Sequence, residues 1–221
     1  MPEPGVSMLT EHAIHLLHDA AFGTLATHSA TLAGYPYATV VPYVPDYAHR
    51  PVICISALAE HTRNLLADVR MSLSVVEPGA TDVQAASRMT IVGDVERFEP
   101  EAPLLDRYLR YEPGAKRLLS LDFAFFRMKP VRIRFIVGVG RMGWVEPSDL
   151  DAMPQLSAQE EADLVRDMSS LVPDGVRVLG IDAHGADIEI DGIRHRQRFS
   201  TTSTLAESIA TAAQTIKRSR R

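Results

Sequence analysis

Cysteine is nearly absent: Cys54 is the single one among 221 residues. No intramolecular disulfide can form and no thiolate metal cluster is available, and a lone thiol in the apolar run Val52-Ile53-Cys54-Ile55 reads as buried and inert. Long apolar runs are missing too, so no segment reads as a bilayer span. The start, Met1-Pro2-Glu3-Pro4-Gly5, lacks the basic and apolar regions of a secretory signal. The expectation is a cytoplasmic protein with no membrane partner. Net charge is −5, and Lys217, Arg218, Arg220 and Arg221 crowd the last residues, so the body is more acidic still and unsuited to nucleic acid. That basic tail complements the carboxyl end of a final helix. The three glycines of Val137-Gly138-Val139-Gly140-Arg141-Met142-Gly143-Trp144 do not form a G-x-G-x-x-G ahead of a helix, which excludes a dinucleotide loop. Repeats, low-complexity tracts and a recognisable acid/base dyad are also absent, so no catalytic residue is assigned.

What remains is a globular composition, with 46% hydrophobic residues to build the core of one large or two small domains. The stretch from Tyr35 to Glu77 organises the chain. Two β-type runs, Tyr35 to Tyr43 and Pro51 to Ser56, precede Ser56-Ala57-Leu58-Ala59-Glu60-His61-Thr62-Arg63-Asn64-Leu65, and a third, Met71 to Val76, follows it. A short polar-faced helix that starts off a strand end presents free backbone N–H groups and a partial positive charge. Ser56, His61, Thr62, Arg63 and Asn64 add side-chain donors there, a combination that suits a phosphate. The same Ser, Thr and Asn also serve as ordinary helix caps.

Upstream, apolar spacing predicts a helix from Thr10 to Ala21, with Ala13, Leu16, Leu17 and Ala20 on one face. His12, His15 and His18 fall on the other face beside Glu11 and Asp19, which reads as a solvated stripe, so no metal is assigned. Gly23 to His28 reads as a strand that turns at Ala33-Gly34, and Pro36 and Pro42 mark the next strand as an edge. Downstream lie a strand from Arg88 to Phe98 bulged at Gly93, and helices near 101–110 and 114–120 packed outside the barrel. Two closing strands, Ala124 to Met128 and Val131 to Val137, are separated by Lys129-Pro130, with Arg127, Arg132 and Arg134 on one face of each strand. Polar, proline-bearing 146–154 reads as a linker between a unit at 1–147 and a second at 155–221. The second unit opens on a capping box, Ser157 to Glu160, continues through strands at 176–181, 186–190 and 193–199, and closes with a helix from Ser203 or Thr204.

The run Gly34-Tyr35-Pro36-Tyr37-Ala38-Thr39-Val40-Val41-Pro42, the block Leu58 to Leu65, Arg70-Met71-Ser72-Leu73 and Arg88-Met89-Thr90-Ile91-Val92-Gly93 together resemble the FMN-binding split barrels related to pyridoxamine 5′-phosphate oxidase. More narrowly they resemble the branch associated with haem utilisation, over about residues 8 to 145. The resemblance implies an α+β fold: a split β-barrel of the FMN-binding type with flanking helices, plus a small C-terminal α-β-β-β-α domain. It implies an FMN-dependent oxidoreductase acting on a small molecule, with the cofactor at the interface of a homodimer. Ser56, His61, Thr62 and Asn64 would hold the phosphate, Arg88 and Arg141 would add charge, and Thr39 and Val40 would line the flavin ring.

Pyridoxamine phosphate oxidation itself is not expected, because the strand Thr39 to Tyr43 lacks the terminal lysine of that motif and the carboxy-terminal Trp and Arg-Leu-x-Pro segment has no counterpart. Haem is the alternative cofactor, with the arginines and His184 or His195 as its candidate partners. Yet the His-Met-Asn-x-Asp-His motif of the appended domain reads Val165-Arg166-Asp167-Met168-Ser169-Ser170 here, without either histidine. A third alternative is a non-catalytic cofactor-binding module.

Overall fold

The computed structural model describes residues 6–200 and 202–219, so Met1 to Gly5, Thr201 and the terminal Arg220 and Arg221 lie outside the described residues. The elements run α1 (Val6–Asp19), β1 (Phe22–His28), β2 (Pro36–Pro42), β3 (Val44–Pro45), β4 (Pro51–Ser56), α2 (Glu60–Ala67), β5 (Arg70–Val76) and β6 (Arg88–Phe98). They continue as α3 (Ala102–Tyr111), α4 (Ala115–Leu118), β7 (Phe123–Gly138), β8 (Arg141–Val145), α5 (Pro147–Asp151), α6 (Ala158–Leu171), β9 (Val176–Asp182), β10 (Gly185–Ile190), β11 (Ile193–Arg198) and α7 (Leu205–Ser219). No helix among the described residues is long and apolar enough to cross a membrane.

The first eight strands form one antiparallel sheet in the order β2-β1-β5-β6-β7-β4-β3, with β8 on β7. Alternation decides its faces. Leu25, Leu73, Val75, Met89, Ile91, Ile133 and Phe135 point inward and meet Ile14, Leu16 and Leu17 of α1 in the main core. The other face of β1, β5 and β6 carries Thr24, Ala26, Ser72, Ser74, Thr90 and Val92 toward solvent. Strand β4 is covered on both sides, since Ile53 and Ile55 join the main core while Val52 and Cys54 pack under Tyr108 and Tyr111 of α3. This fits the uninterrupted apolar run that the sequence shows there.

β7 is one strand of 16 residues, not two. Pro130 lies opposite Gly93, where the β6–β7 register shifts. A proline is tolerated in that central strand because the bulge removes the need for its missing N–H. A Cβ on Gly93 would collide with the Lys129 carbonyl oxygen, so the backbones meet closely at the bulge that the sequence placed there. The expected linker is also ordered. Glu146 and Asp149 form a capping box that starts α5, and Leu150 is buried against the main core.

The C-terminal sheet has the order β11-β10-β9 and buries Ile181, Ala186 and Ile188 against α6 and α7. Ser157 and Glu160 cap α6 reciprocally, and Thr204 and Glu207 hold the start of α7. The fold is therefore an α+β split-barrel sheet with helices and a small three-stranded C-terminal sheet.

The histidine stripe of α1 is not solvated. His18 is fully buried and His15 is 3% exposed, because the C-terminal sheet covers the face that the helix pattern alone assigned to water. Asp187 sits at that junction, 1% exposed, and accepts from His18 Nδ1 at 2.6 Å, Tyr111 Oη at 2.5 Å and Arg196 Nη1 at 2.7 Å. Arg196 also reaches both oxygens of Asp182 at 2.9 Å and donates through Nε to His15 Nδ1 at 2.9 Å. Beside it, buried Glu161 of α6 pairs with Arg107 and, at 2.8 Å, with Arg110 of α3. Gly180 of β9 makes this approach possible, since a Cβ there would strike Tyr111 Oη and Arg107.

Two consequences can be measured. Glu161→Gln leaves Arg107 buried without its counter-charge and is expected to lower unfolding stability by about 3 kcal/mol in urea titration; a loss under about 1 kcal/mol would mean water reaches the pair. Burial, then the neighbouring Arg196 and Arg198, lower the His15 pKa to about 3. The unfolded imidazole takes up a proton below about pH 6.5, while the folded one stays neutral until near pH 3, so stability is lost as the pH is lowered through that window. Melting temperatures of His15→Gln should vary less with pH there than those of the unaltered chain; parallel profiles would remove His15 as a cause.

Candidate functional site

The exposed face of the barrel sheet carries an open groove of about 490 Å³. Its lining includes Ala26 and His28 of β1, Pro36 of β2, Arg70 and Ser72 of β5, and Val92 of β6. Register explains the assembly: Ala26 pairs with Ser72, Ser72 pairs with Val92, and His28 pairs with Pro36. Two residues further along both strands, His28 lies level with Arg70. Small side chains make the floor flat, and the imidazole and guanidinium stand at one end. Arg70 is held by Asp68 through Nε at 2.9 Å and Nη2 at 2.5 Å, while its side chain stays 69% exposed. On the same face, beyond Val92 and Thr90, Arg132 and Arg134 lie 4.1 and 5.0 Å from the centre of the Trp144 ring.

The residues assigned from sequence are placed as follows. Ser56 ends β4, where its Oγ accepts from the Leu58 N–H at 3.2 Å. Thr62 donates its hydroxyl to the Ser56 carbonyl at 2.6 Å, tying α2 to that strand end. Asn64 is fully buried, accepts from the Ala30 N–H at 2.8 Å and donates to Thr27 Oγ1 at 3.0 Å, so it fastens α2 under the β1–β2 hairpin. His61 is half-buried, and burial lowers its pKa. Arg88 Nη1 is engaged by the carbonyls of Val83, Gln84 and Ala86 at 2.7–3.3 Å. Arg141 is exposed at the β7–β8 turn. Thr39 and Val40 are consecutive in β2 and so face opposite sides, with Val40 62% exposed.

These residues fall into separate groups within one chain. Thr27, which Asn64 contacts, pairs with Met71, and Arg88 pairs with Val76. Five residue steps of β5, Met71 to Val76, separate the two positions, about 17 Å of strand. Ser56, Thr62 and Asn64 act as caps and staples in this arrangement, the chemistry that their residue types offered beside phosphate binding. His184, in the β9–β10 turn, is partly buried near His49, while His195 is exposed on β11. His28 and Arg70 were missed by sequence reasoning. The available signal was the two-residue alternation of β1 and β5, which puts both on the exposed face.

Residues 9–137 match the pyridoxamine 5′-phosphate oxidase family, over half of the chain. The chloroplastic non-canonical haem oxygenase HOZ of Arabidopsis thaliana is 30% identical over 126 residues, which is 56% of this chain and 39% of that protein. The chain thus matches well under half the length of that relative. A haem-binding protein from Mycobacterium smegmatis superposes with a TM-score of 0.61 at 25% identity, covering 99% of this chain and 100% of the other. The Agrobacterium tumefaciens protein Atu2129 shares the fold, with a TM-score of 0.74 at 23% identity over 97% of each chain. The sheet order, the C-terminal three-stranded layer and these matches converge: the chain belongs to the pyridoxamine 5′-phosphate oxidase family of split barrels.

Proposed function

We propose that this protein binds haem in the open groove of its barrel sheet. The groove itself is the observation that carries the reading: a flat floor of Ala26 and Ser72, an apolar edge at Val92, and an exposed imidazole level with an exposed guanidinium. Haem would supply a redox-active iron that accepts an imidazole nitrogen. His28 would provide that nitrogen, and Arg70 would meet a propionate through charge-assisted hydrogen bonds, with Asp68 orienting its fork. The named functions of the plant and mycobacterial relatives support haem over flavin. Three of the donors expected at an FMN phosphate support the same choice, because Thr62 Oγ1, Asn64 Nδ2 and Arg88 Nη1 already donate to the backbone or to Thr27. This places the flavin-dependent oxidoreductase second.

A homodimer belongs to the same proposal. Val92 and Val131 at the groove are 46% and 60% exposed, and Val40 on the same sheet face is 62% exposed, a run of apolar surface that a second copy would cover.

Titrating haem into the purified protein should give a Soret band saturating at about one haem per chain, and His28→Ala should weaken binding at least about tenfold, or about 1.4 kcal/mol. An unchanged affinity in the variant would remove the groove, and absence of the band in the unaltered protein would remove haem. FMN added in parallel should leave no retained flavin after gel filtration; tight, stoichiometric flavin would restore the oxidoreductase. Sedimentation should give twice the chain mass.

A further inference from the structure

His18 at the end of α1, His49 in the β3–β4 turn and Asp182 at the end of β9 come from three distant parts of the chain. They are 0%, 1% and 7% exposed. One nitrogen or oxygen from each lies within 4.8 Å of the others. Because His18 Nδ1 is committed to Asp187 at 2.6 Å, its Nε2 carries the free lone pair, and that atom faces His49 Nδ1 at 3.0 Å. Neither neutral form of His49 satisfies the site. With the proton on Nδ1, the buried Nε2 is left without a partner; with the proton on Nε2, that N–H has no acceptor, while Nδ1 faces either a second lone pair or the Nε2–H of a protonated His18. The ring of His184 lies 6.0 Å from that of His49, and its buried Nε2 is likewise without a partner. A buried nitrogen such as that of His184 is costly unless something takes it up.

We propose that His18, His49 and Asp182 form a divalent-metal site of the zinc class at the junction of the barrel and C-terminal sheets, with His184 as the adjacent fourth donor. Tetrahedral zinc with bonds of about 2.0–2.1 Å needs ligand atoms about 3.3 Å apart; His18 Nε2 and His49 Nδ1 stand at 3.0 Å, and all three groups lie within 4.8 Å of one another. The cation takes the two facing lone pairs of His18 and His49. Asp187 on the far nitrogen of His18 supplies the carboxylate–histidine–metal arrangement that orients a ligating ring. Asp182 and Asp187 bring two carboxylates against the single guanidinium of Arg196, and the remaining negative charge is offset either by a proton on His18 or by a cation that replaces that proton. His49 sits at a positive φ of 58°, a conformation that L residues adopt at a cost and that here delivers the imidazole to the cluster. The ion would clamp α1 and the β3–β4 turn to β9.

The test uses tag-free, full-length protein stripped with a chelator, loaded with Zn²⁺ and desalted. Zinc rather than iron is the probe, so haem bound elsewhere does not confuse the readout. About one zinc per chain should remain, with at least two imidazole ligands by X-ray absorption and a melting temperature above that of the stripped protein. His49→Ala should lose the zinc, while His195→Ala, altered at an exposed position, should keep it. If His49→Ala does not fold, the imidazole count of the unaltered protein decides. Folded protein that retains no zinc, zinc held by one imidazole or none, or zinc retained by folded His49→Ala would each overturn the site.

Discussion

Asp187 is the point on which the two layers of this protein turn. A carboxylate buried to 1% exposure persists as an ion only if donors replace the water it has lost, and burial by itself would raise its pKa. Here that burial is outweighed by His18 and Arg196, which hold it well below the usual carboxylate range. Tyr111 completes the shell. The three donors come from α1, α3 and β11, so one side chain of β10 connects the barrel's inner helix, its outer helix and the C-terminal sheet. Ions in such a place specify geometry more than they add stability, because the cost of desolvating them is close to what their pairing returns.

That junction settles what is left for function. α1 is apolar toward the barrel and ionic toward the C-terminal sheet, so both of its faces are consumed by the fold. α3 is used in the same way, with Tyr108 on the barrel and Arg107 and Arg110 on α6. The outward face of β1, β5 and β6 stays open, and its small residues form the shallow groove. Polar side chains near α2 that resemble a phosphate cradle are drawn into the internal hydrogen bonds that seat that short helix.

Much of this was legible in the sequence. The capping boxes at Ser157 and Thr204, the bulge at Gly93 and the hairpin turn at Gly34 are local devices whose chemistry is complete within a few residues. The strand alternations are local too, and together with the family motifs they gave the barrel and the three-stranded layer. The misreadings share one cause. His15 and His18 follow a polar stripe that a helix wheel gives to solvent, and only the C-terminal sheet, arriving about 170 residues later, removes that solvent. Pro130 ends a strand by local rules, yet β7 runs through it because Gly93 of the neighbouring strand yields the space.

The sequence by itself determined most of the secondary structure and, with the family motifs, the class of fold, because backbone sterics, capping and hydrophobic period act over a few residues. Tertiary structure alone decided which polar groups are buried together. Whether a histidine is a solvated side chain, a hydrogen-bond partner or a ligand depends on what lies across from it. For His18 those neighbours are His49, Asp182 and Asp187, and for His28 the neighbour is Arg70 across the sheet face. Long-range packing sets dielectric and distance together, and both lie beyond any local pattern.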